Sequence, residues 1–363
     1  VSRKLVHLSF TAALVGSPAM ADVPDVAVDI APVHSLVARV MDGVGTPDLI
    51  VQPGASPHEY SLRPSEAAAL QNADLVFWMG KDLTPWMTDA VETLSKDAAV
   101  VTLLETEGTI LLDFREGAMF EAHAHGDGSH EDHGDEHDHD HDDHGHGHDE
   151  EHGHDDDGHD EEHGHDHDEH EHGETAHGND SPARDHDDHG HAHGSHDPHA
   201  WLSPENAMTW LNLIAAQLST LDPDNAGAYL TNAAAAGGEM EALSAEVSGI
   251  LDPFRGGSFI VFHDAYQYFE MAFDFPAAGA ISLGDATDPG PARIAEIRSR
   301  ILEEAIDCVL AEPQYNPDLV ATVLAGTDAN TGVIDPLGAA LEPGPDLYPQ
   351  VIRNLATTLA ECL

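Results

Sequence analysis

Basic side chains are scarce in this chain. Thirteen Lys and Arg stand against 68 Asp and Glu in 363 residues, for a formal net charge of -55. That balance excludes a surface built to grip nucleic acid or anionic lipid, both of which attract positive charge. It suits cations. Cysteine is almost missing, with only Cys308 and Cys362 present. Two thiolates cannot fill the four positions of a structural zinc site. They can form one bridge, which an oxidising compartment permits, or remain two buried thiols. Long apolar runs are also missing. Leu5 to Val15 is mostly apolar but too short to span a bilayer, and no later segment offers about 18 uninterrupted apolar residues. Finally, the chain has neither a His-Glu-x-x-His motif nor a nucleophile elbow, the sequence marks of two large hydrolase classes.

What is present begins with a leader. Arg3 and Lys4 form a short basic start, Leu5 to Val15 an apolar segment, and Ala19-Met20-Ala21 a small-x-small cleavage site. An export signal over residues 1–21 is expected, with cleavage near Ala21 and a periplasmic mature chain. Histidine is abundant and unevenly placed. Twenty-four of the 29 histidines, with 27 Asp or Glu and a single Arg, lie between His123 and His196. Runs such as His137-Asp138-His139-Asp140-His141 put a ligand at every second residue. Imidazole suits zinc, copper, nickel and iron, and its ordinary pKa of about 6.5 leaves it able to bind metal near neutral pH. The tract cannot bury a core, so residues 116–196 are expected to be disordered without metal. A flexible tract imposes no geometry, so it signals metal handling without choosing the metal.

On either side of the tract the chain alternates strand and helix signals. Apolar, β-rich runs at Val26–Ile30, Asp48–Val51, Leu75–Met79 and Val100–Leu103 are interleaved with helical spacing at Ser35–Met41, Pro64–Asn72 and Trp86–Ser95. Ser203 is an N-cap with Pro204 at the first helical position, and that helix runs to about Leu221. A long helix follows Asp222-Pro223 and ends near Leu251, roughly 28 residues or about 42 Å. Gly237-Gly238 weakens it locally. The rhythm then returns, with strands at Ser258–Phe262, Ala278–Ser282, Cys308–Ala311 and Gly332–Ile334 and a last helix from Leu347 to Glu361. The expected fold is α/β: two lobes, each a parallel sheet covered by helices, joined by one long helix, with a cleft between them. The expected boundaries are 22–221 for the first lobe, 222–251 for the linking helix and 252–363 for the second lobe.

A defined metal site needs ligands held on rigid elements. Outside the leader and the tract four histidines remain: His34, His58, His199 and His263. His58 follows the second strand, His199 precedes a helix, and His263 stands at the carboxyl end of a strand. Open parallel sheets bind ligands outside the carboxyl ends of their strands. Three imidazoles would leave a fourth position for a carboxylate or water. His34 reads equally well as a ligand or as part of a helical first turn. Asp335, just after the last strand, is a candidate fourth ligand or a turn cap. Glu312, at the end of another strand, could support a ligand from behind.

Six stretches together resemble the zinc-specific solute-binding proteins of bacterial ABC importers, the metal-binding class with a rigid linking helix. They are Gly54-Ala55-Ser56-Pro57-His58, Tyr60-Ser61-Leu62-Arg63-Pro64-Ser65, Asn72-Ala73-Asp74-Leu75, His199-Ala200-Trp201-Leu202-Ser203-Pro204, Phe262-His263-Asp264-Ala265-Tyr266 and Asp335-Pro336-Leu337-Gly338. They span nearly the whole chain beyond the leader, in the order found in that family, and a His/acid-rich insertion before the second ligand segment marks its zinc branch. The resemblance implies a metal cleft between two lobes, with His58, His199 and His263 as zinc ligands and Asp335 at the position of a fourth, for which water or another carboxylate can substitute. It implies a Cys308–Cys362 disulfide, found in some zinc members. It implies a monomer that docks on a membrane permease with its ATPase and hands over Zn2+, the tract serving as an auxiliary collector or sensor. The chain departs from some members in carrying Pro57, not Glu, before the first ligand histidine, with Glu59 after it. Two other readings share the chemistry: a zinc hydrolase, since three histidines with an open position can be catalytic, and a metal-binding adhesin or buffer with no transport partner.

Overall fold

Two sets of short apolar segments build two sheets with the same strand order. The computed structural model describes residues 23–115, 120, 196–282 and 289–363. The expected leader and nearly all of the histidine-rich tract lie outside the described residues. The first sheet has strands β1 (Val26–Val28), β2 (Asp48–Leu49), β3 (Leu75–Trp78) and β4 (Ala99–Thr102), in the order β2-β1-β3-β4. The second has β5 (Phe259–His263), β6 (Gly279–Ser282), β7 (Cys308–Ala311) and β8 (Asn330–Val333), in the order β6-β5-β7-β8. All pairings are parallel, with Val28 beside Phe77 in the first sheet and Phe259 beside Cys308 in the second. In each sheet the chain reverses its direction of travel after the second strand. A topological switch point therefore lies between β1 and β3, and another between β5 and β7.

Side chains alternate across these strands with period two. Val26, Val28, Leu75 and Phe77 face one way, and Ala27, Val76 and Trp78 the other. The outer face of the first sheet packs on α2 (Pro64–Asn72), α3 (Thr88–Leu94) and the 3-10 turn Pro85–Met87 before it, through Leu70, Val91 and Met87. The outer face of the second, with Ile260, Phe262 and Val309, packs on α7 (Pro291–Glu304) and α8 (Pro317–Leu324) through Ile297, Ile301, Val320 and Val323. The inner faces of both sheets share one core. Phe77 and Leu75 belong to the same apolar cluster as Phe259, Val261, Cys308 and Leu310.

Five helices contribute to that shared core: α1 (Ala31–Val40), α4 (Pro204–Leu221), α5 (Ala226–Leu251), α6 (Gln267–Phe273) and α9 (Leu347–Cys362). The linking helix α5 buries Tyr229, Ala233, Ala236, Met240, Leu243, Val247 and Leu251, a stripe at spacings of three and four residues. It has 26 residues and runs unbroken through Gly237 and Gly238, because packing along the stripe outweighs the weak propensity of two glycines. A 3-10 turn at Pro223–Asn225 precedes it. The start of α1 is four residues earlier than its spacing suggests. Pro32 sits in its first turn, where a missing N–H costs nothing. His34 is therefore a buried helix residue with Nε2 within 3.0 Å of the Pro47 carbonyl oxygen, and burial pushes its imidazole pKa down.

The two cysteines are bridged, with Cα atoms 5.7 Å apart, and the bridge ties α9 to β7 across 54 residues of sequence. Chain entropy alone assigns such a loop about 4 kcal/mol of stabilisation. Ser203 caps α4 by accepting from the Asn206 N–H, as its sequence position suggests.

One buried charge sits at the switch point of the first sheet. Asp29 follows β1, is fully buried, and accepts N–H bonds from Met79 (2.6 Å) and Ile30 (2.8 Å). Burial pushes its pKa up to about 7, against the opposing pull of those backbone donors. A carboxyl group with a raised native pKa binds protons more readily folded than unfolded, so its contribution is present in acid and is lost as pH rises through about 7. Asp29→Asn should remove that component of the fall in stability between pH 4 and pH 7. In acid, where Asp29 is protonated folded and unfolded, the variant should be less stable by about 1–2 kcal/mol, since an amide N–H2 would face one of two N–H donors. Thermal melts across that pH range check both effects, and an unchanged pH slope in the variant would contradict the assignment.

Candidate metal site

Three histidines far apart in sequence meet between the lobes. His58 lies in the loop between β2 and α2, half-buried. The loop is pinned by the Trp86 indole N–H, which donates to the Pro57 carbonyl at 2.7 Å, and by the Tyr60 hydroxyl, which donates to Glu66 at 2.7 Å. His199 lies at the start of the 3-10 turn that leads into α4, and His263 is the last residue of β5; both are buried. The ring centroids are 5.3 Å apart for His199 and His263, 5.4 Å for His58 and His199, and 6.3 Å for His58 and His263. One nitrogen from each ring falls within 4.8 Å of the other two. The cavity among them has a volume of about 10 Å³, the size of one water or one small ion. Trp201, Tyr315 and Leu337 also line it.

Two of the three rings are held by buried carboxylates in the same manner. Asp197 Oδ1 lies 2.7 Å from His199 Nδ1 and accepts the His199 backbone N–H at 2.9 Å. Glu312 Oε1 lies 2.6 Å from His263 Nδ1 and accepts the His263 backbone N–H at 3.3 Å. In each case one oxygen grips both the ring and the main chain of the same residue. An ionised carboxylate can only accept, so it fixes the proton on Nδ1 and leaves Nε2 as the donor nitrogen towards the cavity. The Glu312 grip spans the switch point of the second sheet, from the residue after β7 to the last residue of β5. The Asp197 grip is local, two residues before its histidine.

Further bonds hold this platform across the lobes. The Tyr268 hydroxyl donates to the Asp197 carbonyl at 2.8 Å and accepts from the Leu112 N–H at 3.0 Å. The Trp201 indole donates to the Pro336 carbonyl at 2.9 Å, and the Tyr348 hydroxyl to the Trp201 carbonyl at 2.9 Å. His263 also lies against Tyr315, with centroids 5.2 Å apart, and Tyr315 stacks on Phe262.

The other sequence candidates are elsewhere. Asp335 is not part of the gathered group among the described residues. Its Oδ1 accepts from the Leu337 and Gly338 N–H groups at 3.0 Å and its Oδ2 from Ala339 at 2.6 Å, with Gln314 Nε2 donating at 3.2 Å. It caps the turn after β8, the alternative role its position allowed. Glu59 is exposed and outside the group. His34 is in α1, in the shared core. Two carboxylates of the platform differ in legibility. Glu312 stands where strand-end reasoning put it. Asp197 drew no functional reading, although an Asp two residues before a candidate ligand is the spacing of an Asx turn.

Donor type narrows the cargo. Three imidazole nitrogens do not suit Mg2+ or Ca2+, which take oxygen, and suit Zn2+, Cu2+ and Ni2+. Removing the partner of a ligating histidine typically costs roughly 10–100-fold in metal affinity. Asp197→Asn and Glu312→Gln should each lower affinity for Zn2+ by that factor in competition titrations, while the fold is retained. Wild-type affinity in both variants would show that the carboxylates do not act through the rings.

Comparison with known proteins agrees in length and in fold. The family model described as ZnuA, zinc-uptake complex component A, periplasmic, matches residues 26–362. The high-affinity zinc uptake system protein ZnuA of Brucella abortus (strain 2308) is 46% identical over 355 residues, covering 98% of this chain and 96% of the relative. Its counterpart from Paracoccus denitrificans (strain Pd 1222) is 44% identical over 354 residues, covering 97% and 95%. A crystal structure of ZnuA superposes with a TM-score of 0.66 at 19% identity, covering 94% of this chain and 99% of the other, and so supports the fold.

Proposed function

The chain belongs to the family of ZnuA, the periplasmic component A of the zinc-uptake complex, and from that premise we propose that it captures Zn2+ in the periplasm and delivers it to the permease of an ABC importer. The observation that carries this reading is the convergence of His58, His199 and His263 on one ion-sized cavity, with two of the rings fixed by buried carboxylates. In this reading the three histidines are the zinc ligands and a water completes the tetrahedron that zinc prefers. The reading of water as the fourth ligand is supported by the engagement of Asp335 in its turn and the exposure of Glu59.

The protein acts as a carrier rather than a catalyst. It works as a monomer that loses its leader near Ala21, loads one Zn2+ in the cleft, docks on the permease and its ATPase, and releases the metal. The histidine-rich tract collects zinc at low specificity and feeds the cleft. That role rests on its 24 histidines.

Single replacement of His58, His199 or His263 by Ala should weaken Zn2+ binding by more than the roughly 10–100-fold expected for the supporting carboxylates. Loss of His263 with wild-type affinity retained would refute the site. Deletion of residues 124–190 should leave the tight cleft site intact and reduce zinc-limited growth. Abolition of tight binding by that deletion would overturn the auxiliary role. Competition among Zn2+, Cu2+ and Ni2+ on the tract-deleted protein measures selectivity at the cleft alone.

A further inference from the structure

The loop that leaves β7 brings two polar side chains to the cavity among the histidines. Glu312 holds the His263 ring, and Gln314, two residues on, lines the same cavity. A carboxamide has a nitrogen that donates and an oxygen that accepts. The Gln314 Nε2 donates to Asp335 Oδ1 at 3.2 Å. The Asp335 carboxylate also receives the N–H groups of Leu337, Gly338 and Ala339, so it serves throughout as an acceptor. Only the NH2 end of the amide can face such a group, and this fixes which way the amide is turned.

Asp335 does not line the cavity, so the Gln314 nitrogen is spent outside it. The oxygen of an amide points away from its nitrogen. Here Oε1 is buried and has no hydrogen-bond partner among the described residues. A buried carbonyl oxygen without a donor is costly, and its partner is to be sought in the cavity that the side chain lines. The Trp201 indole, which also lines it, gives its N–H to the Pro336 carbonyl and is not that donor.

Whatever meets Oε1 in the cavity must therefore bring a hydrogen. A bare Zn2+ brings none. The water that completes its tetrahedron does, and coordination to zinc makes that water a stronger donor. Zinc takes its protein ligands from thiolate, imidazole and carboxylate, so a neutral amide oxygen suits the role of acceptor better than that of ligand. We propose that Gln314 is a positioning residue for the fourth zinc ligand, its Oε1 accepting a hydrogen from the water bound there. The proposal rests on the zinc-binding reading above. Asp335 then serves the cation indirectly, by turning the Gln314 amide, while it caps its own turn. A halide has no hydrogen to give and would meet the negative end of the amide dipole, so the arrangement selects water over an anion at the open position.

The test uses the purified full-length chain with one equivalent of Co2+ or Zn2+, and chloride as the competing ligand. Tetrahedral Co2+ in the cleft absorbs strongly in the visible, and exchange of its fourth ligand shifts the bands. Gln314→Leu removes the acceptor. It should raise the affinity of the Co2+ form for chloride by about tenfold or more and lower Zn2+ affinity by roughly tenfold. Gln314→Glu keeps an oxygen in place and should bind chloride no better than wild type. A side chain that merely supported its loop would lower metal affinity and leave chloride affinity unchanged in Gln314→Leu, which overturns the proposal. An equal gain in chloride affinity in both variants overturns it too. Should Gln314→Leu fail to fold, Gln314→Met keeps the length of the side chain without the acceptor and carries the same expectation. Failure of the wild-type chain to give a tetrahedral Co2+ spectrum that one equivalent of Zn2+ erases would instead overturn the functional reading beneath it.

Discussion

A neutral imidazole has one N–H and one lone pair, and which nitrogen holds which decides whether it can bind a metal in a given direction. In this structure that decision is made by two buried carboxylate oxygens. Asp197 and Glu312 each engage the Nδ1 side of a ring and the backbone N–H of the same residue. A grip at two points fixes orientation as well as tautomer, and so presents Nε2 to a common centre before any ion arrives. The two grips arise by unrelated routes: one is a turn two residues long, the other crosses between neighbouring strands from residues 49 apart in sequence. The rest of the architecture keeps these two oxygens where they are.

It does so through a core that the two lobes share. Were each lobe to have a core of its own, histidines drawn from both could drift by more than a metal–nitrogen bond allows. Instead the inner faces of both sheets and helices α1, α4, α5, α6 and α9 form one apolar cluster. Hydrogen bonds from Trp201 to Pro336, from Tyr348 to Trp201 and from Tyr268 to Asp197 then carry that rigidity to within a residue or two of His199. Close-packed protein interiors transmit small displacements rather than absorb them.

Much of this was legible in the sequence, and the rest was hidden for identifiable reasons. The eight strands and the capped start of α4 follow from apolar period, Ser203 and Pro204. The three gathered histidines follow from their placement at element ends, and their family setting from the stretches around them. Asp335 is the instructive exception. A carboxylate after a strand is equally suited to a metal or to three consecutive N–H groups, and only the folded backbone shows that those of Leu337, Gly338 and Ala339 all donate to it. Glu312 and Asp197 show a contrast on a smaller scale, since a strand end draws attention and an Asx spacing does not.

The matching order of the two sheets has a consequence for stoichiometry. Both halves possess a crevice where the strand order reverses, and a duplicated fold of this kind could in principle carry a passenger in each. In the second half that crevice is flanked by His263 and Glu312. In the first it is sealed by Asp29, whose oxygens are consumed by the N–H groups of Ile30 and Met79. The first half instead contributes His58 from a loop further along, reaching across to its neighbour's crevice. Of the two crevices only the second therefore adjoins the gathered histidines among the described residues, and a duplicated strand order yields one such group rather than two.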